Sequence, residues 1–195
     1  MKSTALKGKN FIRLKDGLLG LLILVAVTFL VLRFQKKFPG NQDLEINLNQ
    51  FKPEEGYLAP PFTLRNLKGN LEGLDEHSGN VIVINFWATW CGPCVQEMPS
   101  FEKLHRRFRS QGLTILAVSL DKGRASKVRN FADEYNLSFS ILLDTQGVVE
   151  KLYPSYTIPF TYVIDKQGWV VARVDGAKNW ESPETFRAIE YLLKQ

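Results

Sequence analysis

The sequence predicts an α/β protein whose body, residues 57–195, is a mixed central sheet with flanking helices, held behind a single N-terminal membrane anchor. Three observations lead there. Strand-like and helix-like runs alternate through the body, two strand-like runs near its end adjoin as a hairpin, and the one long uncharged run lies within the first forty residues. With 195 residues, 45% of them hydrophobic and 23% charged, the chain can bury a core and is too apolar to be disordered throughout.

Residues 1–16 form a basic tail. From Gly17 to Leu32 sixteen consecutive residues carry no charge, and Thr28 is the only clearly polar one. As a helix they span roughly 24 Å, short of the ~30 Å hydrocarbon core by an amount that snorkelling Lys15 and Arg33 can cover. A cleaved signal peptide would end in a small-x-small site, which Phe29-Leu30-Val31-Leu32-Arg33 does not supply, and a core helix would show a polar face. Residues 17–34 therefore read as an uncleaved single-pass anchor. Five cations precede the span and three follow it, which puts the tail in the cytoplasm and the body outside it. Residues 35–56, with Pro39 breaking any continuous helix, read as a linker with a reach of roughly 25–30 Å.

The chain carries a formal charge of +5, but residues 1–40 hold eight cations and one acid, so residues 41–195 are left at −2. That distribution takes away the footing for a nucleic-acid reading. In the body, Phe62–Leu64 and Leu71–Leu74 flank Lys68-Gly69-Asn70 as a short hairpin. Val81–Phe86 and Leu113–Leu120 are β-branched runs of buried-strand character. Between them Met98, Phe101, Leu104 and Phe108 mark an amphipathic helix. A second helix is expected over 125–135 with Val128, Phe131 and Ala132 inward, then a strand at Phe139–Leu142 and a hairpin of Thr161–Ile164 with Val170–Val174. Ser182-Pro183-Glu184 opens a last helix with a cap, a proline at the first helical position and an acid in the first turn.

The chain has two cysteines, and both lie in Trp90-Cys91-Gly92-Pro93-Cys94, where the Val81 strand gives way to the first helix. Unpaired N–H groups and the helix dipole at that junction favour a thiolate on Cys91, the species that attacks disulfides. Cys94, one turn on, can pair with Cys91 or resolve a mixed disulfide. Gly92 and Pro93 make the tight turn, and Pro93 forfeits no hydrogen bond in a first helical turn. Zinc needs four ligands, and beyond these two cysteines the chain offers only His77 and His105, the latter expected at the surface. Cu(I) suits paired thiolates, and a copper-binding chaperone module stays as an alternative, although no methionine cluster or histidine pair supports it. Nothing before Cys91 has the Pro-x-x-x-Thr-x-x-Cys spacing of a peroxidatic cysteine.

The run Asn85-Phe86-Trp87-Ala88-Thr89-Trp90-Cys91-Gly92-Pro93-Cys94, followed by Glu97-Met98-Pro99 and by Ile158-Pro159-Phe160-Thr161-Tyr162-Val163-Ile164-Asp165, resembles the membrane-anchored thiol-disulfide oxidoreductases of the TlpA-like and ResA-like group. The resemblance runs from about Ala59 to the C-terminus. It implies a thioredoxin-like fold whose opening Ala59–Leu64 belongs to an N-terminal hairpin and whose Leu113–Leu142 segment is an added strand-helix unit. It implies catalytic roles for Cys91, Cys94, Glu97 and Pro159, the last as a cis-proline facing the sulfurs. Trp90, Gly92, Pro93 and Ile158 become client-contacting candidates, Ile158 through its backbone.

From the residues alone Glu97 reads as a first-turn acid complementing the helix dipole; the resemblance instead implies a buried acid beneath the sulfurs. Asn85 then stands where ordinary thioredoxin has a buried aspartate, and Pro99 matches a proline that kinks the first helix. Gly-Pro between the cysteines leans toward a reductant, and Ile158 is bulkier than the residue many members carry before the cis-proline. The implied function needs no cofactor or metal. It is reduction of extracytoplasmic protein disulfides, with apocytochrome c haem-attachment motifs as clients and a membrane reductant as electron donor; a general disulfide oxidase or isomerase is the alternative.

Overall fold

The computed structural model describes residues 56–195 apart from 124 and 154. The expected tail, the anchor at 17–34 and the linker up to residue 55 lie outside the described residues, among which no helix is long and apolar enough to cross a membrane.

The elements run β1 (Thr63–Asn66), β2 (Leu71–Gly73), β3 (Val81–Trp87), α1 (Gly92–Phe108), β4 (Leu113–Ser119), α2 (Ala125–Glu134), β5 (Ser140–Leu143), β6 (Phe160–Ile164), β7 (Val170–Asp175) and α3 (Pro183–Lys194). Seven strands make one sheet in the order β2-β1-β5-β4-β3-β6-β7. β3 pairs in parallel with β4, and β4 with β5, while the remaining pairs are antiparallel, which is the expected mixed sheet. The N-terminal hairpin is not a separate flap: β1 bonds to β5 and extends the sheet. The fifth strand sits one residue later than its apolar run suggests, at Ser140–Leu143. Ser182 caps α3 as expected, its hydroxyl accepting from the Thr185 N–H.

All seven residues of β3 are buried, so its alternation assigns faces rather than an inside and an outside. Val81, Val83 and Trp87 face a core completed by Met98, Phe101, Leu104 and Phe108 of α1, Val128 and Ala132 of α2, and Ile189 and Leu192 of α3. Ile82, Ile84 and Phe86 face a second core that contains no α-helical residue. There the lid is built from Phe62 and Leu74 near the N-terminal hairpin and from Val149 and Tyr153. The flanking helices thus share one face of the sheet.

The lid is held by specific polar contacts. Asp144 accepts from the N–H groups of Val148, Val149 and Glu150 at 2.8, 2.8 and 2.9 Å, and the Tyr153 hydroxyl donates to the Pro60 carbonyl at 2.6 Å. Tyr153 also meets Phe62 edge-on, with ring centroids 5.9 Å apart.

His105 departs from its expected surface position. It is half-buried, its ring edge-on to Phe139 with centroids 6.0 Å apart, and burial pushes its pKa down. Nearby on α1, Glu102 is a buried acid that accepts from Arg106 Nε at 2.6 Å and from the Ser138 N–H and hydroxyl at 2.7 Å each, tying the segment before β5 to the helix.

Candidate active site

β3 delivers the chain into the cysteine motif, and α1 starts within it. Cys91 is the N-cap of α1, with φ −89° and ψ 103°, and its Sγ accepts from the Cys94 N–H at 3.2 Å. Gly92 and Pro93 are the first two helical residues, where a proline loses no hydrogen bond. Cys91 and Cys94 form a disulfide, S–S 2.09 Å. Trp90 is 65% exposed and Gly92 and Pro93 are exposed, whereas Cys91 is 6% exposed and Cys94 fully buried.

Pro159, at the start of β6, faces the same place. The Ile158–Pro159 peptide is cis, and the Ile158 carbonyl oxygen lies 3.8 Å from Cys91 Sγ. The Ile158 side chain is partly buried between the two cores. Cys91, Cys94, Trp90, Gly92, Pro93, Ile158 and Pro159 are therefore brought together at one end of β3 and β6.

Glu97 lies one helical turn beyond Cys94, on the inner face of α1, and is 3% exposed. No acid stands in the first turn of α1, so the dipole reading of Glu97 fails. Its carboxylate is held from three directions. Oε1 accepts from Asn85 Nδ2 at 2.9 Å, and Oε2 accepts from Trp180 Nε1 at 3.0 Å and from the Lys178 N–H at 3.2 Å. Burial raises the Glu97 pKa to about 7; the bonds from Trp180, Lys178 and Asn85 pull the other way without overcoming it.

Asn85 is positioned by strand alternation. It shares the helix-side face of β3 with Val83 and Trp87, and sits directly opposite Thr161 of β6, whose hydroxyl accepts from the same Nδ2 at 3.1 Å. Asn85 Oδ1 is buried with no hydrogen-bond partner among the described residues. Trp180 is fully buried, stacks on Phe101 with centroids 4.6 Å apart, and its N–H donates to Ser100 Oγ at 3.0 Å. Thr161, Trp180 and the Lys178 amide were missed by sequence reasoning. One signal existed: Trp180 is a lone indole in a polar stretch, and an indole buries well only where its N–H finds an acceptor.

The dithiol form of this site can exchange two electrons through sulfur alone. Such an exchange needs a thiol at a helix N-cap and a second thiol beside it, and here a buried carboxyl with its pKa raised to about 7 stands one turn below the second.

Residues 56–173 match the AhpC/TSA family. The chain is 37% identical over 161 residues to the thioredoxin-like protein YneN of Bacillus subtilis, covering 80% of this chain and 86% of that one. It is 30% identical over 171 residues to the thiol-disulfide oxidoreductase ResA of Bacillus subtilis, covering 88% of each. Among solved structures, a DsbE-type thiol:disulfide interchange protein of Chlorobium tepidum superposes with a TM-score of 0.65 at 28% identity, over 71% of this chain and 96% of that one. The cysteine pair at a helix N-cap, the thioredoxin-like sheet and these relatives together place the chain in the AhpC/TSA family, as a thioredoxin-like thiol-disulfide oxidoreductase of the ResA and YneN kind.

Proposed function

We propose that the protein is tethered to the cell membrane by residues 17–34 and reduces disulfides in extracytoplasmic protein clients, with Cys91 as nucleophile, Cys94 as resolving thiol and Glu97 as the proton acceptor and donor for Cys94. The observation that carries the site reading is the buried Glu97 carboxyl, held by Asn85, Trp180 and Lys178 one turn from a fully buried Cys94. The tether rests on the uncharged run and its flanking cations.

In the reducing direction Cys91 thiolate attacks one sulfur of the client disulfide, and the other leaves as a thiolate that takes up a proton. Cys94 gives its proton to Glu97 and attacks Cys91 Sγ, forming the intramolecular disulfide and releasing the client's second thiolate, which is protonated in turn. Two electrons have then moved to the client, whose two thiolates take up one proton released from Glu97 and one from water, and a membrane reductant returns the protein to the dithiol. A carboxyl titrating near 7 is matched to that transfer at neutral pH. The client segment lies along Trp90, Gly92 and Pro93 and against the Ile158 backbone beside Pro159. Apocytochrome c haem-attachment motifs are the proposed clients, on the resemblance to the ResA-like group.

The test is capture with Cys94→Ser, which leaves Cys91 in mixed disulfide with its client, together with the reduction potential of the wild-type pair. Apocytochrome c in the trap and a thioredoxin-like potential support the reading. A potential in the oxidant range, with many unrelated clients trapped, supports the oxidase or isomerase alternative instead.

A further inference from the structure

A cleft of about 680 Å³ opens beside the cysteine motif, lined by Trp90, Leu120, Asp121, Lys122, Lys127 and Asn130 among others. Its floor is tied to the motif. The Leu120 N–H donates to the Trp87 carbonyl at 2.8 Å, and the Thr89 N–H and hydroxyl donate to Asp121 at 2.8 and 2.6 Å. One wall, Trp90, is the residue next to Cys91, so the cleft begins about 4 Å of chain from the nucleophile.

The charges in the cleft are not balanced. Asp121 is 7% exposed and its oxygens are taken up by Thr89 and by the Ser119 hydroxyl at 3.0 Å, so its charge is turned inward. Lys122 and Lys127 are exposed, and neither has an acidic partner among the described residues. The segment 121–127 holds three cations against one acid, whereas residues 57–195 as a whole are close to balanced, with 16 cations against 15 acids. Two exposed ammonium groups share the cleft with apolar Trp90 and Leu120, and together they match an anionic side chain on an apolar-flanked peptide.

We infer that this cleft is a specificity site for clients: Lys122 and Lys127 bind an Asp or Glu side chain of the polypeptide that Cys91 holds in mixed disulfide. This rests on the reductase reading of Cys91. At about 3.3 Å per extended residue, an acid two to four positions from the client cysteine reaches the cleft. Two exposed ion pairs account for a preference of roughly five- to tenfold, and it is salt-sensitive because the Debye length shortens from ~10 Å at 0.1 M toward 3 Å at 1 M.

The test uses the full chain in detergent micelles, reduced chemically, with three synthetic peptides that carry one intramolecular disulfide and differ only in paired Glu, Gln or Lys two to four residues from a cysteine. Bis(2-hydroxyethyl) disulfide, too small to reach the cleft, reports the cysteine pair alone. The expected result is a kcat/KM for the Glu peptide about five- to tenfold above the Gln peptide. That preference should disappear at high salt and reverse in Lys122→Glu/Lys127→Glu, persist in Lys122→Arg/Lys127→Arg, and leave the rates with the small disulfide equal in all three proteins. Equal kcat/KM for all peptides in the wild type, or an unchanged preference in the Glu variant, overturns the inference. A wild type that reduces the small disulfide but no peptide overturns the reading of protein clients on which it rests.

Discussion

Replacing Glu97 by glutamine separates what the buried acid costs the fold from what it does for the chemistry. Below the ordinary carboxyl value of 4.5 the group is neutral in both folded and unfolded chains and carries no penalty. Between 4.5 and about 7 the unfolded chain releases a proton that the folded chain keeps, so stability falls as pH rises through that window. Above it the loss is complete, and at 1.36 kcal/mol per pH unit it amounts to roughly 3 kcal/mol.

Glutamine is neutral throughout and keeps an oxygen for the Trp180 and Lys178 donors. Its amide nitrogen then faces Asn85 Nδ2, donor to donor, but a half-turn of the Asn85 amide presents Oδ1, which now lacks a partner, while the Thr161 hydroxyl switches to donating. Glu97→Gln should therefore match the wild type near pH 4.5 and exceed it by up to roughly 3 kcal/mol at pH 8. Over the same range disulfide exchange near pH 7 should slow by about 10²-fold, the contribution of a lost proton-transfer group. Urea unfolding of the oxidised protein from pH 4 to 8 and stopped-flow exchange over the same range are the measurements. A wild-type stability that does not fall between pH 4.5 and 7, or a variant that exchanges at wild-type rate across pH 5–9, refutes the reasoning.

Trp180→Phe keeps the stack on Phe101 but removes one hydrogen bond to a carboxylate, worth ~1.5–3 kcal/mol, so the Glu97 titration seen by carbon NMR of the oxidised protein should move up by about one to two pH units; a downward or absent shift would contradict it. Alkylation of the reduced protein at neutral pH should label Cys91 well before Cys94, because Cys91 is the more exposed and takes the Cys94 N–H at the helix N-cap. The reverse order would exchange the two roles. Glu102→Ala should destabilise by roughly 1–3 kcal/mol at neutral pH, through the lost bonds to Ser138 and Arg106. Although burial opposes ionisation, those partners hold the Glu102 pKa below its ordinary value, so the cost should shrink in acid, as the wild type is protonated; equal loss at pH 3 and pH 7 would exclude that origin.

The strands and helices of the body were legible because their apolar periods are strong: seven buried residues in β3, and Met98, Phe101, Leu104 and Phe108 in α1. The cysteine pair, its place at a helix start and the cis-proline were legible too, the last through resemblance, since periodicity says nothing of a peptide isomer. Periodicity also cannot say what covers a strand. Every residue of β3 is apolar or buried, so nothing in its own pattern reveals that one face meets three helices and the other only loops and a hairpin. Val149 and Tyr153, in a stretch without helical or strand spacing, carry that second core. Glu97 had a signal that charge-dipole reasoning obscured: it lies three residues after Cys94 and four before Phe101, on the inward stripe of α1. Its partners Lys178 and Trp180 are 81 and 83 residues away, brought in by the turn before α3, while Thr161, which accepts from its third partner Asn85, arrives only through β3–β6 pairing.

The burial of Cys94 gives the proposed role of Glu97 its physical reason. Cys91 keeps 6% exposure, whereas Cys94 has none. A thiol that must ionise to resolve a mixed disulfide cannot leave its proton in apolar surroundings, because an unpaired charge there is costly to hold. An ordinary surface carboxylate would be too weak a base at neutral pH to accept it. Burial raises the proton affinity of Glu97 to about 7, while Trp180, Lys178 and Asn85 keep its ionised form tolerable, so in the proposed role the same desolvation that burdens the fold would tune the base. Asparagine rather than aspartate at position 85 fits that arrangement: a second acid 2.9 Å from Glu97 would divide one proton between two carboxyls, whereas an amide offers a donor to the carboxylate and, turned over, an acceptor to the acid.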